Sequence, residues 1–216
     1  MEPDDQIPNI NARLSDGSDP SKEFYLVIDF EANCSDRGIR DHEIIEFPAV
    51  LVNAKTGETI AEFGKFVKMV THKKVSKFII WLTTITDDDL KTGVDWKTCL
   101  IMFEEWCIKN NITHLNTTVI TCGDWDLKNM LPRQLAITKT KLSPILKPLL
   151  TSWTNIKVYY SMMTGKRGGM DVMLKNLKIP LVGHHHRGID DSRNIAKICK
   201  AVVDAGYDVT EVTNYL

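Results

Sequence analysis

Two carboxylates spaced two residues apart, Asp29 and Glu31, close the apolar run Phe24-Tyr-Leu-Val-Ile-Asp-Phe30. On a strand, residues i and i+2 share a face, so the two acids project together. Phe24, Leu26, Ile28 and Phe30 line the opposite face, while Tyr25 and Val27 precede the acids on theirs. A strand apolar on both faces reads as the centre of a covered sheet. Carboxylates at the end of such a strand are costly unless something positive sits between them. Hard divalent cations take carboxylate oxygens, so the chemistry these residues suit is metal binding.

Two further groups can join them. A helix over residues 189–205 carries Ile195, Ile198, Val202 and Val203 on its apolar stripe. Asp191 is i−4 to Ile195 and i−7 to Ile198, so it heads the stripe that faces the core. Asp190 falls with Asn194, Lys197 and Ala201 on a polar face, where an N-terminal acid favours the helix dipole. His186 lies five residues before Asp191, on the loop ahead of the helix, within reach of the same pocket as a general base. Its neighbours His184 and His185 read either as incidental or as a weak metal-binding tract. The remaining acid comes from Thr121-Cys-Gly-Asp-Trp-Asp126, which follows a buried strand and opens a helix. Local spacing leaves Asp124 and Asp126 undecided, and either could be an N-cap.

The elements that must hold these residues follow from periodicity. Strands are predicted over about 24–30, 44–52 and 59–67 as a meander, with a polar loop at 33–42 and a turn at Lys55-Thr56-Gly57-Glu58. A short helix is expected near 87–92, capped by Thr86, and a longer one over 96–109 with Leu100, Phe103, Trp106 and Cys107 on one stripe. Residues 118–122 form a buried strand, and a helix follows from Asp126, with a kink or break at Pro132. Residues 138–153 read as a basic loop with short helical turns, 155–160 as a final strand, and 170–177 as a helix after the turn Lys166-Arg167-Gly168-Gly169. The fold class is therefore α/β: a mixed five-stranded sheet, three meander strands plus parallel strands, flanked by helices on both faces. Residues 1–21 are polar and carry three prolines, which predicts a disordered or loosely attached tail before one domain at 22–216.

Composition sets the surroundings. The 216 residues are 43% hydrophobic and 25% charged, ordinary for a globular protein. No apolar run reaches the roughly 18 residues of a membrane span, and the first residues lack the features of a signal peptide. Five cysteines without paired spacing suggest reduced thiols and an intracellular protein, cytoplasmic or nuclear. The net charge of −1 hides an asymmetry: residues 128–200 carry 14 Lys and Arg against three acids. A basic half beside an acidic half suits a phosphate-binding surface next to a metal site, although a solvated lysine-rich face explains the charge equally well.

Taken together, Asp-Phe-Glu-Ala (29–32), Trp125-Asp126 and His186-x4-Asp191 resemble the DEDDh 3′-to-5′ exonucleases of the ribonuclease H-like superfamily. His42-Glu-Ile-Ile-Glu-Phe-Pro48, Leu82-Thr-x-Ile-Thr86, Gly123-x-Trp-Asp126 and Gly188-Ile-Asp-Asp-Ser-Arg-Asn194 look like the Eri-type exoribonucleases, the group of the histone-mRNA 3′ exonuclease and Snipper-like proteins. The resemblance runs from about residue 24 to 205. It implies a metal-dependent exoribonuclease that releases nucleoside 5′-monophosphates from RNA 3′ ends, with DNA as a further substrate. It assigns Asp29, Glu31, Asp126 and Asp191 to two Mg²⁺ ions, which Mn²⁺ can replace, and His186 to the role of general base. Ala32, Leu82, Ile85 and Trp125 become candidates for holding the terminal nucleotide, and Lys166 and Arg167 for contacting backbone phosphates. Asp124 departs from the family pattern as an extra acid. The alternative is a non-catalytic nucleic-acid-binding or scaffold protein on the same fold.

Overall fold

A computed structural model describes residues 22–35 and 38–216, with the side chains of residues 35–41 outside that description. The expected tail at 1–21 also lies outside the described residues. Strands β1 (Phe24–Ile28), β2 (Glu31–Ser35), β3 (Gly38–Asn53), β4 (Thr59–Phe66), β5 (Thr117–Thr121), β6 (Ser152–Asn155) and β7 (Asn214–Tyr215) form one sheet. The sheet has seven strands in place of the five expected. β1 and β2 pair antiparallel with one edge of β3 and β4 with its other edge; β5 lies parallel to β1, β6 parallel to β5, and β7 antiparallel to β6.

The register explains the geometry at Asp29. Ile28 faces Ala49 and Glu31 faces Glu46 on a single antiparallel count, so Asp29 and Phe30 fall opposite Pro48 and Phe47. Pro48 has no N–H to give to the ladder. The ladder is interrupted at Asp29, and the Phe30 N–H donates to Asp126 Oδ1 at 2.7 Å.

Alternation along β1 sorts the two cores as its sequence predicts. Leu26, Ile28 and Phe30 pack with Phe47, Trp96, Phe103, Leu127 and Leu149 under helices α3 (Trp96–Lys109) and α5 (Leu146–Leu150). Tyr25 and Val27 pack on the other face with Tyr159, Met173, Ile195 and Ile198. Those residues come from α6 (Ile156–Thr164), α7 (Met170–Leu177) and α8 (Gly188–Asp204). A third, small cluster under α1 (Lys77–Thr83) and α2 (Asp87–Lys91) contains Ile45, Ile79, Ile85 and Leu90. Thr86 caps α2, and its capping box with Asp89 is complete. None of the five cysteines is in a disulfide. Among the described residues, no helix is long and apolar enough to cross a membrane.

Three local expectations are corrected. Much of the polar stretch 33–42 is strand, in β2 and the start of β3; Asn33 within it is buried and accepts the Ser76 N–H at 2.8 Å, and the adjoining Glu43 is buried at 0% exposure. Its carboxylate accepts the Val70 N–H at 2.6 Å and the Thr71 N–H at 2.9 Å. The strand expected at 155–160 ends at Asn155, whose side chain accepts the Lys157 N–H and caps helix α6. The aromatic and β-branched composition of 156–160 imitates a strand, but Ile156, Tyr159 and Tyr160 are buried at helical spacing. Finally, the irregularity expected at Pro132 is a change of helix type just ahead of it. A π-helical turn, Asp126–Met130, precedes α4 (Leu131–Thr138), and Pro132 sits in the first turn of α4, where a missing N–H costs little.

Candidate active site

Three segments meet at the carboxyl end of β1. Asp29 and Glu31 flank the strand break, Asp126 opens the π-helical turn after β5, and Asp191 lies in the first turn of α8. One oxygen from each of Asp29, Glu31 and Asp191 lies within 4.8 Å of the others. Asp126 joins them through its bond to the Phe30 N–H, which ties the second acidic segment to the first across 96 residues. Asp126 is 6% exposed and Asp191 4%.

Close approach of α8 makes this possible. A Cβ on Gly188 would lie 2.6 Å from the Asp29 carbonyl oxygen and 2.8 Å from Pro48 Cγ, so only glycine lets the helix start here. The Gly188 N–H donates to Glu46 Oε2 at 3.1 Å. His186 sits just ahead, with a left-handed φ of 70°, and its backbone N–H donates to Asp191 Oδ2 at 2.8 Å. The ring nitrogens of His185 and His186 also lie within 4.8 Å of an Asp191 carboxylate oxygen.

The electrostatics are those of a buried cluster of like charges. Burial, then the nearby Asp126 and Asp191, hold Asp29 well above the usual carboxylate range, and the Lys157 ammonium only partly offsets this. Burial and then Asp29 do the same to Glu31. Burial pushes Asp126 up to about 6 and Asp191 up to about 7, against the pull of their backbone hydrogen bonds. Burial and the neighbouring histidines lower His186, which keeps its imidazole neutral. Asp191 Oδ1 is buried with no hydrogen-bond partner. Clustered hard oxygen donors with one orphaned oxygen fit a divalent cation.

These shifts carry a stability consequence. Without metal, Asp126 and Asp191 in the folded chain keep protons that the unfolded chain releases between about pH 4 and pH 7. Stability in EDTA therefore falls as pH rises through that window. At ~1.4 kcal/mol per unit, reduced by solvent at the cleft mouth, the loss is on the order of 2–4 kcal/mol. Thermal melts in EDTA from pH 5 to pH 8 should show a falling Tm, with a shallower fall in Asp191→Asn. A Tm that rises across this range would contradict the cluster's electrostatics.

The remaining sequence candidates divide. Trp125 is partly buried, its ring 5.6 Å from that of His42. Leu82 is partly exposed on α1, whose end meets the His186 loop where Arg187 Nη1 donates to Thr84 Oγ1 at 3.4 Å. Ala32 is 9% exposed on β2. Ile85 is fully buried and packs in the small third cluster, so it supports the neighbouring surface from beneath. Lys166 and Arg167 are exposed on the turn before α7, whose Asp171 is close enough to act on the charge of His186.

The extra acid Asp124 turns away from the cluster. Its Oδ1 accepts from Trp153 Nε1 at 2.9 Å, Asn155 Nδ2 at 3.4 Å and Asn214 Nδ2 at 2.7 Å, joining β6 and β7 to the end of β5. Removing it leaves buried donors unpaired, at ~1–3 kcal/mol for each fully buried group. Asp124→Ala is thus expected to destabilise by about 2–4 kcal/mol in urea unfolding, with a change under 1 kcal/mol contradicting the role.

Sequence reasoning missed two charged groups. Glu46, opposite Glu31, fixes Gly188 and lies 3.8 Å from Arg187 Nε. It stood within the stretch 42–48 of the resemblance but had no role there. Lys157 was hidden because its helix read as a strand.

A family model described as "Exonuclease" matches residues 26–199. This chain belongs to the exonuclease family. Within the family it groups with Eri-type DEDDh exoribonucleases. ERI1 exoribonuclease 3 of Homo sapiens is 35% identical over 189 residues, spanning 85% of this chain and 55% of that protein. The 3′-5′ exoribonuclease 1 of Homo sapiens is 30% identical over 201 residues, spanning 90% and 56%. This chain thus spans about half the length of the curated relatives it matches. The solved nuclease domain of 3′hExo, a DEDDh family member bound to rAMP, superposes with a TM-score of 0.84 at 29% identity, over 92% of this chain and 100% of that one. Cell-death related nuclease 4, at 21% identity and a TM-score of 0.79, shares the fold.

Proposed function

We infer that this exonuclease-family chain is a divalent-metal-dependent 3′-to-5′ exoribonuclease that hydrolyses the terminal phosphodiester and releases a nucleoside 5′-monophosphate. The observation that carries this reading is the convergence of Asp29, Glu31, Asp126, Asp191 and His186 from three distant segments on one strand end. Two Mg²⁺ ions are the proposed cofactors, with Mn²⁺ as substitute; Asp29, Glu31 and Asp191 would hold one, Asp29 and Asp126 the other. When bound, such ions supply Lewis-acid stabilisation of the attacking and leaving oxygens.

The side chains do the rest. His186, neutral at physiological pH, accepts the proton of the attacking water. Its backbone N–H on Asp191 fixes the loop that aims it. Glu46 holds the first N–H of α8, and Asp126 holds the Phe30 N–H, so the segments carrying Asp191 and Asp29 are fixed through their backbone. The bond that breaks joins the terminal phosphorus to the 3′ oxygen of the preceding nucleotide.

RNA as partner is supported by relatives named as exoribonucleases and by a structure titled for recognition of a histone mRNA stem-loop 3′ end by a 3′-exonuclease, at 27% identity. The surface of α1 offers a path for upstream nucleotides. Phe78 is 44% and Trp81 74% exposed, their rings 6.1 Å apart; Phe78 lies one helical turn before Leu82 and Trp81 next to it. Base stacking on an exposed aromatic contributes ~1–3 kcal/mol. Trp81→Ala should weaken binding of single-stranded RNA about 5-fold or more by fluorescence anisotropy, at the lower end of that range; unchanged affinity would remove α1 from the path.

The test uses 5′-labelled single-stranded RNA and matched DNA, each with Mg²⁺ or EDTA. A Mg²⁺-dependent ladder shrinking from the 3′ end, faster on RNA, supports the reading. Faster shortening of DNA would shift the substrate class. Tight binding without cleavage would favour the non-catalytic scaffold.

A further inference from the structure

The loop that carries His186 holds a second cluster of metal-ligating atoms, with a different chemistry from the acidic one. The rings of His185 and His186 stack at a centroid distance of 3.8 Å and 16° between planes. A nitrogen of each, and a carboxylate oxygen of Asp191, lie within 4.8 Å of one another. Asp191 Oδ2 already accepts the His186 N–H, while Oδ1 is buried without a partner in a residue only 4% exposed. The acidic set of Asp29, Glu31 and Asp191 contains no nitrogen donor, and the two sets share Asp191 alone.

We propose that His185, His186 and Asp191 form a Zn²⁺ site whose occupancy switches off hydrolysis. Two imidazole nitrogens and one carboxylate oxygen are a Zn²⁺ donor set, with the fourth position open to water. Mg²⁺ prefers all-oxygen surroundings and gains little from imidazole, so the two clusters sort the two ions. Zn–N and Zn–O distances of about 2.0–2.2 Å require the three donors to draw closer, and the stacked rings must turn out of parallel so that both lone pairs meet one ion. Bound Zn²⁺ occupies the ring lone pair with which His186 would accept a proton, and it draws Asp191 away from the acidic set. The inhibitory consequence rests on the exoribonuclease reading; the binding itself does not. His185 has no part in the proposed hydrolysis, so the site can be removed without touching the reaction.

His184 provides the internal control. It lies on the same loop, and its backbone N–H donates to Asp190 Oδ2 at 2.9 Å, outside the cluster. The experiment is calorimetric titration of the full chain with Zn²⁺ in millimolar Mg²⁺, for the unmodified protein, His185→Gln and His184→Gln. The expected result is one Zn²⁺ per chain, bound at least about tenfold more weakly by His185→Gln and unchanged in His184→Gln. In parallel, Zn²⁺ should inhibit Mg²⁺-supported RNA shortening, with the inhibitory concentration raised at least about tenfold in His185→Gln and the Zn²⁺-free rate preserved. Equal Zn²⁺ affinity in His185→Gln, equal weakening in His184→Gln, or no binding by the unmodified chain would overturn the site. A chain that binds Zn²⁺ as described but cleaves nothing would overturn the nuclease reading and leave the metal site standing.

Discussion

Asp29→Asn should lower Mg²⁺-supported shortening of RNA by at least about 10³-fold while making the metal-free protein more stable. The two effects have one cause. Asp29 is the acid shared by both proposed ion positions, and removing a charge contact worth several kcal/mol in the transition state costs about one decade per 1.4 kcal/mol. In the absence of metal the same carboxylate is a liability, since burial and the charges of Asp126 and Asp191 hold it well above its usual range. The neutral amide keeps the shape and loses the repulsion. Steady-state rates and melts in EDTA read the two sides. A variant that is inactive but no more stable than the unmodified chain would mean that the carboxylates are not in electrostatic conflict.

His186→Asn should slow hydrolysis by about 10²–10⁴-fold and leave RNA affinity within about twofold, as loss of a general base does. Asparagine is the informative replacement because His186 has a φ of 70°, a conformation that asparagine tolerates and alanine does not. The backbone bond to Asp191 then survives, and the effect reports on the ring alone. Added imidazole should restore part of the rate in His186→Asn and none in Asp29→Asn. The pH profile carries the sign of the shift. Burial lowers His186, so the base stays neutral, and the rate holds, until pH falls below the ordinary histidine range near 6.5. A variant that fails to bind RNA, or that imidazole cannot rescue, would reduce His186 to a structural part of the loop.

Residues 24–31 and 188–202 announced their geometry in the sequence because each lies in a regular element with one clean period. Alternation along β1 gave the two cores, and the helical stripe of Ile195 and Ile198 separated Asp191 from Asp190, as their burial bears out. Asp124 and Asp126 could not be separated locally, since what distinguishes them is remote. Asp126 meets the Phe30 N–H, while Asp124 meets Trp153, Asn155 and Asn214. The same holds for β2 and the head of β3, where Glu43 looks like a loop residue until the N–H groups of Val70 and Thr71 reach it. Lys157 was lost to the misread period of 155–160, and with it a cation that eases the charge on Asp29. Periodicity reports an element's own faces; it is silent on partners supplied from elsewhere in the chain.

In the proposed reaction water attacks the last phosphodiester of a strand, and the product would carry the record. Single-stranded RNA should be digested in ¹⁸O-labelled water with Mg²⁺ and the small products analysed by mass spectrometry. The expected product is a nucleoside 5′-monophosphate released from the 3′ end with one labelled oxygen on its phosphate, absent in EDTA and in Asp29→Asn. Unlabelled 5′-monophosphate, a nucleoside 3′-phosphate, or fragments from internal cleavage would contradict the assignment of these five residues to terminal hydrolysis.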